Sequence, residues 1–260
     1  MRVLAIGDVV GKPGRQALNR FLPELRKELR FDLVVANGEN AAGGFGLTKQ
    51  VAEELWASGV DIITSGNHIW KKREIYPVLE QEERLIRPAN YPSGAPGRGW
   101  TIWRNDKNIR VAIINLAGRT FLECLDCPFR SIDALLPEIR PQSDIIIIDF
   151  HAEATSEKIA FGWYVDGRSS LVFGTHTHVQ TADERILTNG TGYITDIGMT
   201  GPRDGVLGVD RGIIIERFLS QLPARFNLAS GDVEIMGVWA DIDPVTGRTL
   251  RIERLCRTIA

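Results

Sequence analysis

Five apolar runs of strand length each end on polar, chemistry-bearing residues, and this repetition constrains the fold more than any other feature of the chain. Val3-Leu4-Ala5-Ile6-Gly7 leads into Asp8, and Leu33-Val34-Val35-Ala36-Asn37-Gly38 into Glu39 and Asn40. Ile62-Ile63-Thr64-Ser65-Gly66 leads into Asn67 and His68, and Ile145-Ile146-Ile147-Ile148-Asp149-Phe150 into His151. Leu171-Val172-Phe173-Gly174-Thr175 leads into His176 and His178. Early in the chain, strands at Val3 to Ile6, Asp32 to Ala36 and Asp61 to Thr64 alternate with helix-like stretches. Pro13 to Arg30 places Leu18, Phe21, Leu22, Leu25 and Leu29 on one face, and Pro23 is expected to kink or split it. Thr48 to Ala57 is a second helix, with Thr48 as N-cap. Strands alternating with helices imply a largely parallel, helix-covered sheet. Ligands bind beyond the carboxyl ends of such strands, so parallel strands would bring all five clusters to one edge.

The later sequence is richer in strands. Trp100 to Arg104 and Arg110 to Leu116 flank the turn Asn105-Asp106-Lys107-Asn108. Asp144 to Asp149 and Ser170 to Phe173 read as buried strands. Val233 to Asp241 and Thr249 to Arg257 flank a second turn, Asp243-Pro244-Val245-Thr246-Gly247. Parallel strands early and hairpins late imply an α/β fold with a mixed sheet, or two sheets face to face. No linker divides the 260 residues, so a single domain, 1–260, is expected.

Charge and cysteine content narrow the function. Lys plus Arg (31) nearly balance Asp plus Glu (33), which excludes a broad basic face for nucleic acid but not a small basic pocket. Three cysteines exclude a secreted disulfide framework. Cys124-Leu125-Asp126-Cys127 lacks the second pair that a zinc site needs and reads as structural. No apolar run is long enough to span a membrane, and the N-terminus lacks a signal-peptide pattern. A cytoplasmic protein with no membrane partner is expected.

All four histidines lie at strand ends. Imidazole, carboxylate and amide oxygen together suit Mn, Fe or Zn. Asp8, Glu39, Asn40, Asn67, His151, His176 and His178 offer more ligands than one ion needs, with His68 left over. Two ions roughly 3.5–4 Å apart, bridged by a carboxylate, would use them all, and such pairs clamp an in-line displacement at phosphorus. Other catalytic signatures fail. A phosphate-binding loop ending at Gly11-Lys12 would need glycine at Ile6 and Ser or Thr at Pro13, and Gly44-Phe45-Gly46-Leu47-Thr48-Lys49 lacks the third glycine of a dinucleotide fingerprint. There is no G-x-S-x-G. Ala41-Ala42-Gly43-Gly44-Phe45-Gly46 reads equally as an ordinary turn or as a mobile rim over the site.

In order and spacing these residues resemble the calcineurin-like metallophosphoesterases, whose blocks are D-x-H, G-D-x-x-D, G-N-H-[DE], an isolated His, and G-H-x-H. The counterparts are Asp8-Val9-Val10, Asn37-Gly38-Glu39-Asn40, Gly66-Asn67-His68-Ile69, His151 and Thr175-His176-Thr177-His178. Val10, Glu39-Asn40 and Ile69 depart from the superfamily pattern in the manner of the YmdB-like branch. Asp149-Phe150-His151-Ala152-Glu153 and Asp196-Ile197-Gly198-Met199-Thr200-Gly201-Pro202 are also similar to that branch, whose members are described as 2′,3′-cyclic-nucleotide 2′-phosphodiesterases. The resemblance implies a four-layer αββα sandwich, two facing mixed β-sheets flanked by helices. It implies one ion held by Asp8, Glu39, Asn40 and His178 and a second held by Glu39, Asn67, His151 and His176, with Glu39 bridging and His68 as general acid. The ions would be Fe or Mn, with Zn also accepted. The substrate would be a small phosphodiester such as a 2′,3′-cyclic nucleotide, opened to the 3′-nucleotide by hydroxide generated at the ions, with RNA ends as a further candidate. Phosphomonoesters are an alternative substrate. A metal-binding regulatory or RNA-associated protein with only incidental phosphatase activity is an alternative of another class. Asp149, Glu153, Asp183 and Asp196 are candidates for orienting the imidazoles. A homo-oligomer would have its interface around Trp70, Trp100 or Trp103.

Overall fold

The computed structural model describes residues 1–259. The first half runs β1 (Arg2–Ile6), β2 (Asp8–Val9), α1 (Gly11–Leu29), β3 (Leu33–Asn37), α2 (Lys49–Ala57), β4 (Ile62–Thr64), α3 (Tyr76–Gln81), β5 (Trp100–Arg104) and β6 (Arg110–Ala117). The second half runs α4 (Pro128–Ile139), β7 (Ile145–His151), α5 (Thr155–Tyr164), β8 (Leu171–Thr175), β9 (Arg185–Ile186), β10 (Gly192–Ile194), β11 (Met199–Pro202), α6 (Arg211–Ser220), β12 (Val233–Ile242) and β13 (Thr249–Ile259).

The strands form two mixed sheets. The first has the order β2-β11-β12-β1-β3-β4, with β13 paired to the other edge of β12. Within it β1, β3 and β4 are parallel, and β12 crosses back antiparallel to β1. The second has the order β5-β6-β7-β8-β10-β9, parallel from β6 to β10 with antiparallel strands at both edges.

Side-chain alternation separates the layers. Val3, Ala5, Leu33 and Val35 from the first sheet pack with Val111, Ile113, Ile145 and Ile147 from the second, so one apolar layer lies between the sheets. Their neighbours Leu4, Ile6, Val34 and Ala36 point the other way, onto Leu18 and Leu22 of α1 and Leu55 of α2. Ala112, Ile114, Ile146 and Ile148 likewise face Ile132 and Leu136 of α4 and Phe161 of α5. The result is the expected αββα sandwich. Strands apolar on both faces fit sheets covered on both faces.

Pro23 does not split α1, which is continuous across it. Pro23 and Asn19 are both exposed, so the carbonyl that loses its intrahelical donor faces water. Trp70, Trp100 and Trp103 are half-exposed. Trp70 stacks edge-on against Tyr76 and Tyr91, with ring centroids 5.7 and 5.2 Å away, and the other two pack against the core. The strongly exposed apolar side chains include Phe218, Leu219 and Leu222, at the end of α6 and just beyond it. No helix among the described residues is long and apolar enough to cross a membrane.

Candidate metal centre

The carboxyl ends of β1, β3 and β4 from one sheet meet those of β7 and β8 from the other. All eight residues singled out at strand ends gather there, across the seam between two sheets rather than along the edge of one. Asp8 lies in β2, Glu39 and Asn40 follow β3, and Asn67 and His68 open a 3₁₀ turn after β4. His151 ends β7, and His176 and His178 follow β8. Asp8, Glu39, Asn40 and His151 are buried, while Asn67, His68, His176 and His178 are half-exposed.

Two groups of donor atoms share one carboxylate. In the first, His151 Nε2 lies 3.1 Å from Asn67 Oδ1, 3.1 Å from His176 Nδ1 and 3.3 Å from Glu39 Oε1. In the second, the Asn40 amide lies 3.2 Å from His178 Nε2 and 3.4 Å from Asp8 Oδ1, and His178 Nε2 lies 3.6 Å from Asp8 Oδ1. Glu39 Oε1 is also 3.4 Å from the Asn40 amide and so touches both groups.

The outward nitrogen of each clustered imidazole is held by an oxygen. His151 Nδ1 meets Thr175 Oγ1 at 2.9 Å, and Thr175 donates its single hydroxyl proton to Asp149 Oδ1 at 2.7 Å. That proton count makes His151 Nδ1–H the donor and turns Nε2 inward, where it offers a lone pair once the ring is neutral. His176 Nε2 pairs with Glu153 Oε2 at 3.0 Å, so Nδ1 faces inward. His178 Nδ1 donates to the Leu207 carbonyl at 3.2 Å, so Nε2 faces inward. Metal-ligating histidines are held in this way. Glu39, His151 and His176 bring one donor atom each within 4.8 Å of one another, a grouping that can hold a metal ion.

Of the four acids expected to orient imidazoles, Glu153 touches His176 directly and Asp149 acts on His151 through Thr175. Asp183 instead binds Thr181 and Thr195, and Asp196 binds Lys158 and Thr177, so neither meets an imidazole. Thr175 and the Leu207 carbonyl were not anticipated, since a hydroxyl or a backbone oxygen carries no motif.

Electrostatics agree with a cation site. Burial opposes ionisation of Asp8 and Glu39, yet His178 and His151 beside them hold both carboxyls below their ordinary values. Burial also opposes charge on His151, but Glu39 and Asp8 outweigh it and push the imidazole up to about 9. His178 is raised for the same reason, chiefly by Asp8 against its burial. His176 is driven down to about 3 by burial and by charge on His151. Burial, helped by the charge on Asp8, lifts Asp149 to about 7 against His151 and its two threonine partners.

His68 stands apart. Its Nδ1 bonds Asn40 Oδ1 at 2.7 Å, its backbone N–H donates to Glu39 Oε2 at 2.9 Å, and Phe45 packs edge-on against its ring. No protein partner takes its Nε2 among the described residues. Burial lowers its pKa. It borders a cavity of about 560 Å³ in front of the centre, walled by Phe45, Leu207, Phe218, Phe226 and Leu228 with Arg217. Phe45 places the glycine-rich run on the rim of this cavity. Val10, where the superfamily pattern has histidine, is buried against the loop that carries Leu207, and a Cβ on Gly208 would come within 2.8 Å of it. The lost histidine has become an apolar seat for that loop. Cys124 and Cys127 are free thiols, one exposed and the other just before α4.

The family model described as "YmdB-like protein" matches residues 4–255. The chain belongs to the YmdB-like family. A Bacillus subtilis relative named 2′,3′-cyclic-nucleotide 2′-phosphodiesterase is 53% identical over 256 residues, covering 98% of this chain and 96% of the relative. A solved structure from Thermus thermophilus, described as a hypothetical protein, superposes with a TM-score of 0.93 at 41% identity, covering 99% of both chains. A Mycoplasma pneumoniae structure described as a novel phosphatase gives 0.93 at 33% identity, covering 99% of this chain and 93% of that one.

Proposed function

We propose that the protein is a dinuclear metal-dependent phosphodiesterase that opens 2′,3′-cyclic nucleotides to 3′-nucleotides. The observation that carries this reading is the set of three imidazoles, each held at its outer nitrogen, with His151 and His176 turned toward Glu39 and His178 toward Asp8. The name of the Bacillus subtilis relative supports the substrate class.

Asp8, Glu39, Asn40 and His178 would hold one ion, and Glu39, Asn67, His151 and His176 the other. Asn40 would ligate through Oδ1 after a half-turn of its amide, which keeps its shape. Iron or manganese suits the set best, with zinc also compatible, and bound ions would supply charge neutralisation at phosphorus and a nucleophile at neutral pH. His68 is the nearest proton donor outside the ligand set, and it protonates the departing ribose 2′ oxygen. Burial lowers the pKa of this imidazole. An anionic phosphate entering the cavity favours the charged form again. The apolar wall receives the nucleoside and keeps water away from it. Mononucleotides and the cyclic-phosphate ends of RNA carry the same head group, so both are candidate substrates.

The test is hydrolysis of 2′,3′-cyclic AMP by metal-loaded protein, with the product isomer resolved by chromatography. The expected product is 3′-AMP alone. Hydrolysis confined to phosphomonoesters, or release of 2′-AMP, would contradict the proposal.

A further inference from the structure

His176 and His178 both adopt left-handed backbone conformations, with φ of +100° and +64°. Non-glycine residues rarely do so, and such geometry persists only where the surroundings over-determine it. Two such residues separated by one position need an anchor between them.

Thr177 is that position, and a buried charge holds it. Asp196 Oδ2 accepts from both the Thr177 backbone N–H at 3.2 Å and its hydroxyl at 2.8 Å. The same oxygen is 2.5 Å from Lys158 Nζ, and both side chains are 1% exposed. Lys158 rises from α5 and also donates to the Thr175 carbonyl at 2.8 Å, immediately before His176. The other Asp196 oxygen accepts from Gly198 N–H at 2.9 Å. Lys158 and Asp196 therefore grip the His176-Thr177-His178 turn from its first carbonyl and from its centre. A lysine so buried is rare unless paired, and a buried ion pair is weak support for stability in itself.

We propose that Lys158 and Asp196 are positioning residues: a buried ion pair that clamps Thr177 and holds His176 and His178 in their left-handed conformations, one aimed at each ion. The inference rests on the dinuclear reading above. It assigns a role to the only fully buried lysine–carboxylate pair among the described residues.

Four proteins test it: wild type, Lys158→Met, Thr177→Val and Thr177→Ser. Thr177→Val removes the hydroxyl's bond to Asp196 and the longer one it accepts from Val179 N–H at 3.5 Å with little change of shape, so it reads the clamp more gently than loss of the lysine. Ions retained after dialysis are counted by elemental analysis, kcat and KM are measured on a cyclic nucleotide, and crystal structures are solved of the metal-free proteins. Lys158→Met should retain fewer ions than wild type and lose roughly 10–100-fold in kcat, the range for groups that orient metal ligands. KM should change far less. Thr177→Val should do the same more mildly with an unchanged melting temperature, and Thr177→Ser should recover most of that loss. In metal-free Lys158→Met, φ at His176 or His178 should leave the left-handed region. Wild-type ion retention and kcat in Lys158→Met would overturn the inference, as would unchanged φ values in its crystal structure. Wild-type protein that retains no ions would instead sink the dinuclear reading, while the φ values would still decide the clamp.

Discussion

Gly66→Ala isolates steric control of the metal centre from backbone freedom. Gly66 has φ of −158°, outside the left-handed region that favours glycine. Its demand is for space. A Cβ there would lie 2.2 Å from His151 Nε2 and 2.5 Å from Glu39 Oε2, the inward nitrogen of one proposed ligand and the carboxylate proposed to bridge. Restoring an ordinary contact of 3.4 Å to His151 requires a shift of about 1.2 Å, the difference between the two distances. His151 cannot supply it freely. Its ring is fully buried, and Nδ1 is tied to Thr175 at 2.9 Å. A misplacement of about 1 Å in a reacting assembly can cost 10²-fold. Gly66→Ala should therefore lower kcat on bis(p-nitrophenyl) phosphate by at least about 10²-fold, and elemental analysis should find fewer than two ions per chain. Gly94 has no atom within 4 Å of its Cβ position and no left-handed φ, so Gly94→Ala is the matched control. Full ion content and wild-type rate in Gly66→Ala would refute the packing on which the centre is built.

His68→Ala should leave ion content and melting temperature nearly unchanged and slow cyclic-nucleotide hydrolysis by roughly 10²–10⁴-fold. The loss should shrink on a nitrophenyl ester, whose leaving oxygen needs no proton, and equal losses on the two substrates would reject the acid role. Glu39→Gln should weaken both ions, because Glu39 Oε1 touches both donor groups, whereas Asp8→Asn should weaken one; the ratio of retained ions reads the difference. Ion uptake by the metal-free protein should release protons, because His151 with its pKa raised to about 9 is charged at neutral pH and ligates only when neutral. Affinity should thus climb with pH through neutrality and level off above about 9, and calorimetry in buffers of differing ionisation enthalpy measures the proton count.

The strand ends were legible because each run is continuous, apolar and closed by a polar cluster. The predicted strands and early helices match the structure to within about two residues. The later helices left weaker marks. α4 buries Ile132, Leu136 and Ile139 on one face, but Pro128 and Pro137 within twelve residues speak against a helix, and α6 buries none of its residues, so it has no apolar face to show. The pairing of β12 with β1 joins the two ends of the chain and has no local signal. In the centre, carboxylates, amides and imidazoles were readable by type and spacing. Their supports were not: Thr175 and the Leu207 carbonyl are ordinary groups made important by position, and Asp196 is turned away from the histidines by a lysine 38 residues earlier. Asp183, chosen with it as an imidazole partner, is occupied by two threonines.

The central claim is that two ions share Glu39, and anomalous scattering from crystals of protein purified without added metal tests it most directly. Two peaks are expected roughly 3.5–4 Å apart, one against Asp8, Asn40 and His178 and the other against Asn67, His151 and His176, with Glu39 between them. A single fully occupied peak, or two peaks that Glu39 does not join, would contradict the account.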